Sequence, residues 1–163
     1  MAARRQPRTR DDGPLRVIGY VRVSTDRQDN GPEAQIATLT REGEHRGWSL
    51  TIRREDAASA KTLDGRPVLA QALADLKAGR ADMLAVAKLD RLSRSVVDFA
   101  SILEDAGREG WRLTCLDLGM DTSTPMGEAM AHMAAVFAQM ERRRISERTR
   151  EGLAVVRAGG TRL

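Results

Sequence analysis

Apolar positions along the chain fall into two alternating patterns. Arg16-Val17-Ile18-Gly19-Tyr20-Val21-Arg22-Val23 is a short, nearly continuous apolar run, as expected of a strand buried on both faces. Pro32 opens an amphipathic stretch with Ile36 and Leu39, closed near Gly47 with Trp48 at its end. Leu50-Thr51-Ile52 reads as a second strand, followed by a polar loop from Glu55 to Pro67. Pro67 starts another helix carrying Val68, Leu69, Leu73 and Leu76, which stops at Gly79. Met83-Leu84-Ala85-Val86-Ala87 is a third strand, Val96 to Ala106 a third helix, and Leu113-Thr114-Cys115-Leu116 a fourth strand. This βαβα order predicts an α/β fold with a mainly parallel central sheet flanked by helices. Sites in such sheets form in the loops at the carboxyl ends of strands. Ser24 and Asp90 both fall there.

The last segment behaves differently. From Pro125 to Ala158 only Gly127 and Gly152 interrupt the pattern, predicting one helix of about thirty residues, or roughly 45–50 Å. Met126, Met130, Met133, Phe137 and Met140 follow a heptad spacing, which continues onto Arg144 and Glu147. A methionine stripe ordinarily packs on its own domain. This helix is too long for one small globule to cover, so the spacing predicts an apolar self-association seam that turns into a charged extension. Arg142, Arg143, Arg144, Arg148 and Arg150 would then lie along a polyanion.

Composition narrows the class. At 163 residues and 41% apolar content the chain has bulk for one ordinary domain with a real core. No apolar run reaches the ~18 residues needed to span a bilayer, so the chain reads as soluble, with no membrane partner. Met1 to Pro14 contains arginines and aspartates but no apolar core of a secretory signal, and is expected to be a flexible basic arm over residues 1–15. The lone Cys115 can form no internal disulfide and has no second cysteine with which to hold zinc, which fits a cytoplasmic location. Charge is more informative by position than in total. The net +4 is the sum of +3 over residues 1–16, +4 over residues 141–163 and −3 over the remainder. Basic ends of this kind point to nucleic acid, although charged termini can also be merely solvated.

Two stretches carry the chemistry: Tyr20-Val21-Arg22-Val23-Ser24-Thr25 and Lys88-Leu89-Asp90-Arg91-Leu92-Ser93-Arg94. Guanidinium forks bind phosphate oxygens bidentately and stay charged at any working pH, so a serine among several of them points to phosphoryl chemistry. A lone serine at a strand end is usually a turn residue. Two other classes fit parts of the pattern. Asp26, Asp56 and Asp90 could gather divalent ions in a metal-dependent nuclease, although neighbouring Arg27 and Arg91 disfavour cation binding. A noncatalytic DNA-binding or assembly protein would need only the seam and the basic helix. That reading gives Arg66, Arg91 and Arg94 no reason to accompany Ser24.

Taken in order, Tyr20-x-Arg22-x-Ser24-Thr25, Gln35, Asp56, Arg66-Pro67, Lys88 to Arg94, Phe137-Ala138-Gln139-Met140-Glu141-Arg142 and Glu147-Arg148-Thr149 resemble the catalytic domain of serine recombinases, the resolvase and invertase family. The resemblance spans about residues 16–157. It implies that Ser24 attacks a DNA phosphodiester to give a 5′-phosphoserine link, followed by strand exchange and religation without metal, cofactor or ATP. It further implies that Arg22, Arg66, Arg91 and Arg94 surround the scissile phosphate, that Asp90 is their acidic partner, and that Tyr20, Gln35, Asp56 and Lys88 support them. Glu147 and Arg148 match positions where the family meets DNA or a neighbouring subunit.

The resemblance divides the chain into an arm (1–15), a catalytic α/β domain (16–123), a long oligomerisation and DNA-contacting helix (124–158) and a tail (159–163). It implies double-stranded DNA as partner, homodimers that pair into tetramers on DNA, and a nucleoid-associated place in the cytoplasm. Family members carry a separate DNA-recognition module after the long helix. The residues from Ala158 to Leu163 are too few to form one, so the chain reads as a catalytic fragment cut at the linker, in preference to a natural short form without its own sequence reader, and is expected to bind DNA weakly and in a salt-sensitive way.

Overall fold

Strand β1 (Arg16–Arg22) is the element around which the chain is built. In the computed structural model, which describes residues 13–23, 31–56, 65–93 and 95–158, successive β1 side chains enter opposite halves of the core. Ile18 and Tyr20 join Leu69, Leu76, Leu84, Val86, Phe99, Leu103 and Leu113 on one face. Val17 and Val21 join Leu39, Met83 and Ala85 on the other. Burial on both faces is why the run looks continuously apolar in sequence. Gly19 leaves room between them: a Cβ there would lie 2.7 Å from Ile52 Cδ1 and 3.3 Å from Leu39 Cδ1, so the Ile52 terminal methyl would have to move.

The five-stranded sheet has the order β2-β1-β3-β4-β5. β2 (Ser49–Glu55), β3 (Met83–Val86) and β4 (Arg112–Cys115) run parallel to β1, and the short β5 (Met120–Asp121) runs antiparallel to β4. Helix α1 (Pro32–Arg46) covers the Val17 face, while α2 (Pro67–Lys77) and α4 (Val96–Glu109) cover the Ile18 face. The chain leaves β1 towards β2 on one side and returns through β3 on the other. The crevice outside the carboxyl ends of β1 and β3 is therefore a topological switch point, the usual ligand position in open α/β sheets.

Local chemistry explains the helix limits. α1 has Pro32 at its first position and ends on Gly47 at φ 67°, a left-handed conformation that favours glycine. α4 begins at Ser95, whose side chain accepts from Asp98 N at 3.4 Å. The last helix, α5 (Pro125–Ala158), starts where Thr124 Oγ1 accepts from Gly127 N at 3.0 Å. No helix among the described residues is long and apolar enough to cross a membrane.

Several boundaries differ from the expected ones. β1 ends at Arg22 rather than Val23, and β2 extends through Glu55, with residues 57–64 of the expected polar loop outside the described residues. β2 looks too polar for so long a strand because it is an edge strand, partnered by β1 on one side only. α4 continues to Glu109, and β4 starts and ends one residue early. The four-residue α3 (Leu89–Leu92) and two-residue β5 were not expected, being too short to carry a periodicity. The expected boundary at 123/124 falls within packed structure: Gly127 and Ala138 of α5 are buried, and Ala131 and Ala134 pack against the core below. The arm's residues 1–12 and the tail's 159–163 lie outside the described residues.

Candidate active site at the sheet switch point

Three buried arginines meet beyond the carboxyl ends of β1 and β3. Arg22 is the last residue of β1, Arg66 precedes α2, and Arg91 lies in α3, with exposures of 1%, 6% and 1%. Two of them grip the backbone of the same short helix. An Arg22 terminal nitrogen donates to the Asp90 carbonyl at 2.9 Å, and one from Arg66 donates to the Leu92 carbonyl at 2.5 Å. Arg91 pairs with the Asp90 carboxylate at 3.1 Å. The α3 turn is thus the hub that brings cations from three separate elements together. Asp90 is half exposed, so one carboxylate oxygen faces Arg91 while the group stays open to solvent.

The hub is itself held in place. Asp117, just after β4, accepts the Leu89 amide on both carboxylate oxygens at 3.2 and 3.3 Å, capping the first turn of α3. The Cys115 thiol donates to the same carboxylate at 3.0 Å. Burial, reinforced by Asp117, pushes that thiol far above its ordinary range, so it stays neutral.

Among the expected supporting residues, Gln35 and Tyr20 are well placed. Gln35 is buried on α1, and its amide accepts from Arg22 N at 3.4 Å and donates to Arg22 O at 3.2 Å, clamping the end of β1. Tyr20 is fully buried, and its hydroxyl donates to Glu55 Oε2 at 3.4 Å. Burial first, and then the Glu55 charge, raise its phenol well above the usual value, so it remains a donor. Lys88 is half-buried at the entrance to α3. Asp56, also expected to support the arginines, has a side chain that is 89% exposed and lies 3.9 Å from Arg54. The buried carboxylate is its neighbour Glu55. Residue type alone does not distinguish the two carboxylates, and the β1–β2 register that sets Glu55 opposite Arg22 is nonlocal.

Ser24 and Arg94 lie outside the described residues, as does Asp26 of the metal reading. In the sequence Ser24 comes two residues after Arg22, the last residue of β1, and Arg94 directly follows Ser93, which closes α3. Among the described residues no three metal-ligating side chains converge. Of the metal reading's carboxylates, Asp56 is exposed beside Arg54 and Asp90 sits beside Arg91.

Helix α5 divides the expected seam. Met126, Met133, Phe137 and Met140 are exposed, whereas Met130 is half-buried against the domain's own core. Among the described residues Ala138 is the last buried one on the helix, and Arg142 reaches back to α4, 3.5 Å from Glu104. Beyond it the helix projects roughly 25 Å. Arg143, Arg144, Glu147, Arg148 and Arg150 are exposed along that projection, with Arg144 4.0 Å from Glu141. Val136, Ile145 and Leu153 are further exposed apolar residues that the heptad count missed.

Comparison with known proteins agrees with this architecture. Residues 17–162 match the family described as Resolvase, N terminal domain. A probable DNA-invertase of Sinorhizobium fredii is 41% identical over 89% of the chain, which spans 44% of that relative's length. A DNA-invertase of Escherichia phage P1 is 40% identical over 88% of the chain and is itself covered over 72%. Among solved structures, the N-terminal catalytic domain of TP901-1 integrase superposes with a TM-score of 0.71 at 29% identity, covering 78% of this chain and 97% of that one.

Proposed function

Because this chain belongs to the resolvase family of serine site-specific recombinases, we propose that it is a catalytic domain in which Ser24 is the nucleophile towards a DNA phosphodiester. The observation that carries this reading is the convergence of Arg22, Arg66 and Arg91 on the α3 turn, with Arg22 only two residues before Ser24 in the sequence. Ser24 Oγ forms a bond to phosphorus while the P–O3′ bond breaks. The serine proton is released, and the departing 3′ oxygen gains one to become a hydroxyl. One phosphodiester is exchanged for another, so a 3′-hydroxyl from a new partner reverses the step without ATP.

The arginines neutralise charge on the non-bridging oxygens as it is redistributed. Each preorganised donor is worth about 3 kcal/mol, so three described arginines, with Arg94 completing the family set, account for a large part of the barrier reduction. Asp90, beside Arg91 and open to solvent, can orient that arginine or carry the leaving-group proton. The exposed seam of α5 serves self-association, as dimers that pair into tetramers on DNA. Its basic projection lies along the phosphate backbone, which provides affinity rather than sequence recognition.

The test joins this chain to a sequence-specific DNA-binding module and incubates it with a nicked suicide duplex in chelator. A denaturing gel then reads covalent protein–DNA adduct. The expected result is an adduct that Ser24→Ala abolishes. Its absence from the folded, DNA-bound parent would overturn the reading in favour of an accessory assembly role, and dependence on a divalent ion would favour the metal reading.

A further inference from the structure

We propose that Glu55 is a positioning residue for the strand-transfer reaction, acting by holding Arg66 in place; this rests on the reading of the site given above. Glu55 is a buried carboxylate, 3% exposed, that no motif assigned. Its oxygens accept the backbone amides of Leu69 at 3.0 Å and Val68 at 3.4 Å, the first free N–H groups of α2. Arg66 occupies the cap position of that helix, where its side chain forms no capping bond. An arginine has no acceptor to offer there. Glu55 therefore supplies from β2 the cap that the local sequence lacks, and the negative charge suits the positive end of the helix. The consequence is positional: the residue immediately before the capped turn is Arg66.

The same residue reaches the nucleophile's strand by two further bonds. Its carboxylate accepts from the Tyr20 hydroxyl at 3.4 Å, and its backbone carbonyl accepts from Val23 N at 3.0 Å, next to Ser24. β1 and β2 pair in parallel with Arg22 opposite Glu55. One side chain thus ties the end of β1 to the start of α2, so that Arg22 and Arg66 keep a fixed separation before DNA arrives. Preorganisation of this kind matters because a displacement of ~1 Å can cost about a hundredfold in rate.

A purely structural carboxylate would affect every variant alike, whereas one acting through Arg66 should lose its influence when Arg66 is gone. The experiment is a double-substitution cycle on the rate of adduct formation at saturating suicide duplex, with Glu55→Gln and Arg66→Ala alone and together. Melting temperature and DNA affinity are measured on each. The isosteric Glu55→Gln removes the charge and turns a donor towards the helix amides. Glu55→Asp, run through the same cycle, keeps the charge but withdraws it by one methylene, and serves where the glutamine variant does not fold. The expected result is a ten- to hundredfold slower rate from the Glu55 change with Arg66 present, and less than about twofold with Arg66→Ala. Equal losses in both backgrounds, or a loss that follows the melting temperature alone, would overturn the proposal while leaving Ser24 as nucleophile. No adduct from the parent protein would overturn the Ser24 reading itself, and this inference with it.

Discussion

Replacing Gly127 with alanine should detach α5 from the domain rather than strengthen the helix. A Cβ at this position would lie 1.8 Å from the Asp121 carbonyl oxygen and 2.4 Å from its carbon. Even close C–H···O contacts need about 3.3 Å, so the methyl group must retreat by roughly 1.5 Å. Asp121 cannot yield easily: it is paired with Thr114 in the sheet, and its carboxylate bonds Ser123 N at 2.9 Å and Arg46 at 2.8 Å. The helix must lift instead, loosening Ala131, Ala134 and Ala138. Overpacking of this severity belongs at the upper end of the usual range, about 3 kcal/mol. Better helix propensity returns about 1 kcal/mol. The net loss of about 2 kcal/mol should lower Tm by roughly 4–8 °C in a chain of this size. Gly107→Ala on α4 is the control, since a Cβ there meets nothing within 4 Å and the change should raise stability by up to about 1 kcal/mol. Thermal denaturation followed by circular dichroism compares them. A Gly127→Ala protein at least as stable as the parent, or equal shifts in both variants, would refute the close-contact argument.

Two more predictions concern surfaces and charge. Met133, Phe137 and Met140 are 54%, 61% and 55% exposed, so converting all three to glutamine should shift sedimentation velocity towards a smaller species; an unchanged profile would mean the seam does not join subunits. The Asp75 carboxyl is held down to about 2 by its hydrogen bond from Arg80, then by Arg53 and Gln71. Because its folded value lies below the ordinary ~3.9, the stability it adds should be full above about pH 4 and disappear as pH falls through 2. Urea midpoints between pH 5 and pH 2.5 should therefore fall less steeply in Asp75→Asn, and identical slopes would contradict that assignment.

The parts of the fold legible in sequence were those with enough residues to show a period. β1, α1, α2, α4 and α5 announce themselves through apolar spacing, and α1 and α2 also through Pro32, Pro67 and Gly47 at their ends. α3 and β5 are too short for that, yet α3 is the hub of the site. In α5 the heptad of large residues was visible in the sequence, whereas the parallel stripe of small ones, Gly127, Ala131, Ala134 and Ala138, emerges only from the packing. Small residues let the helix approach α4 and β5 closely, so the domain takes that face. The methionine stripe lies about a quarter turn away and stays open, with Met130 at the border between them. Spacing identifies a stripe, but only tertiary packing decides which stripe is covered.

The candidate site divides along the same line. Arginine is informative by type, because a guanidinium fork beside strand ends has few uses other than binding oxyanions, and so Arg22, Arg66 and Arg91 could be picked out together. Glutamate is uninformative by type. In Arg53-Arg54-Glu55-Asp56 two adjacent carboxylates look equally solvated, and the family pattern drew attention to Asp56. The alternation of the strand separates them: Glu55 faces inwards opposite Arg22 and Asp56 faces out. A buried carboxylate costs several kcal/mol unless it is hydrogen-bonded and near positive charge. Glu55 meets both conditions because α2 begins there without a cap of its own and because Arg22 stands opposite it in the β1–β2 register. The arginines in turn need a nearby negative charge to be buried before any phosphate binds. Cap and counter-charge are therefore one residue, which is why the cationic site can be assembled in advance of its substrate.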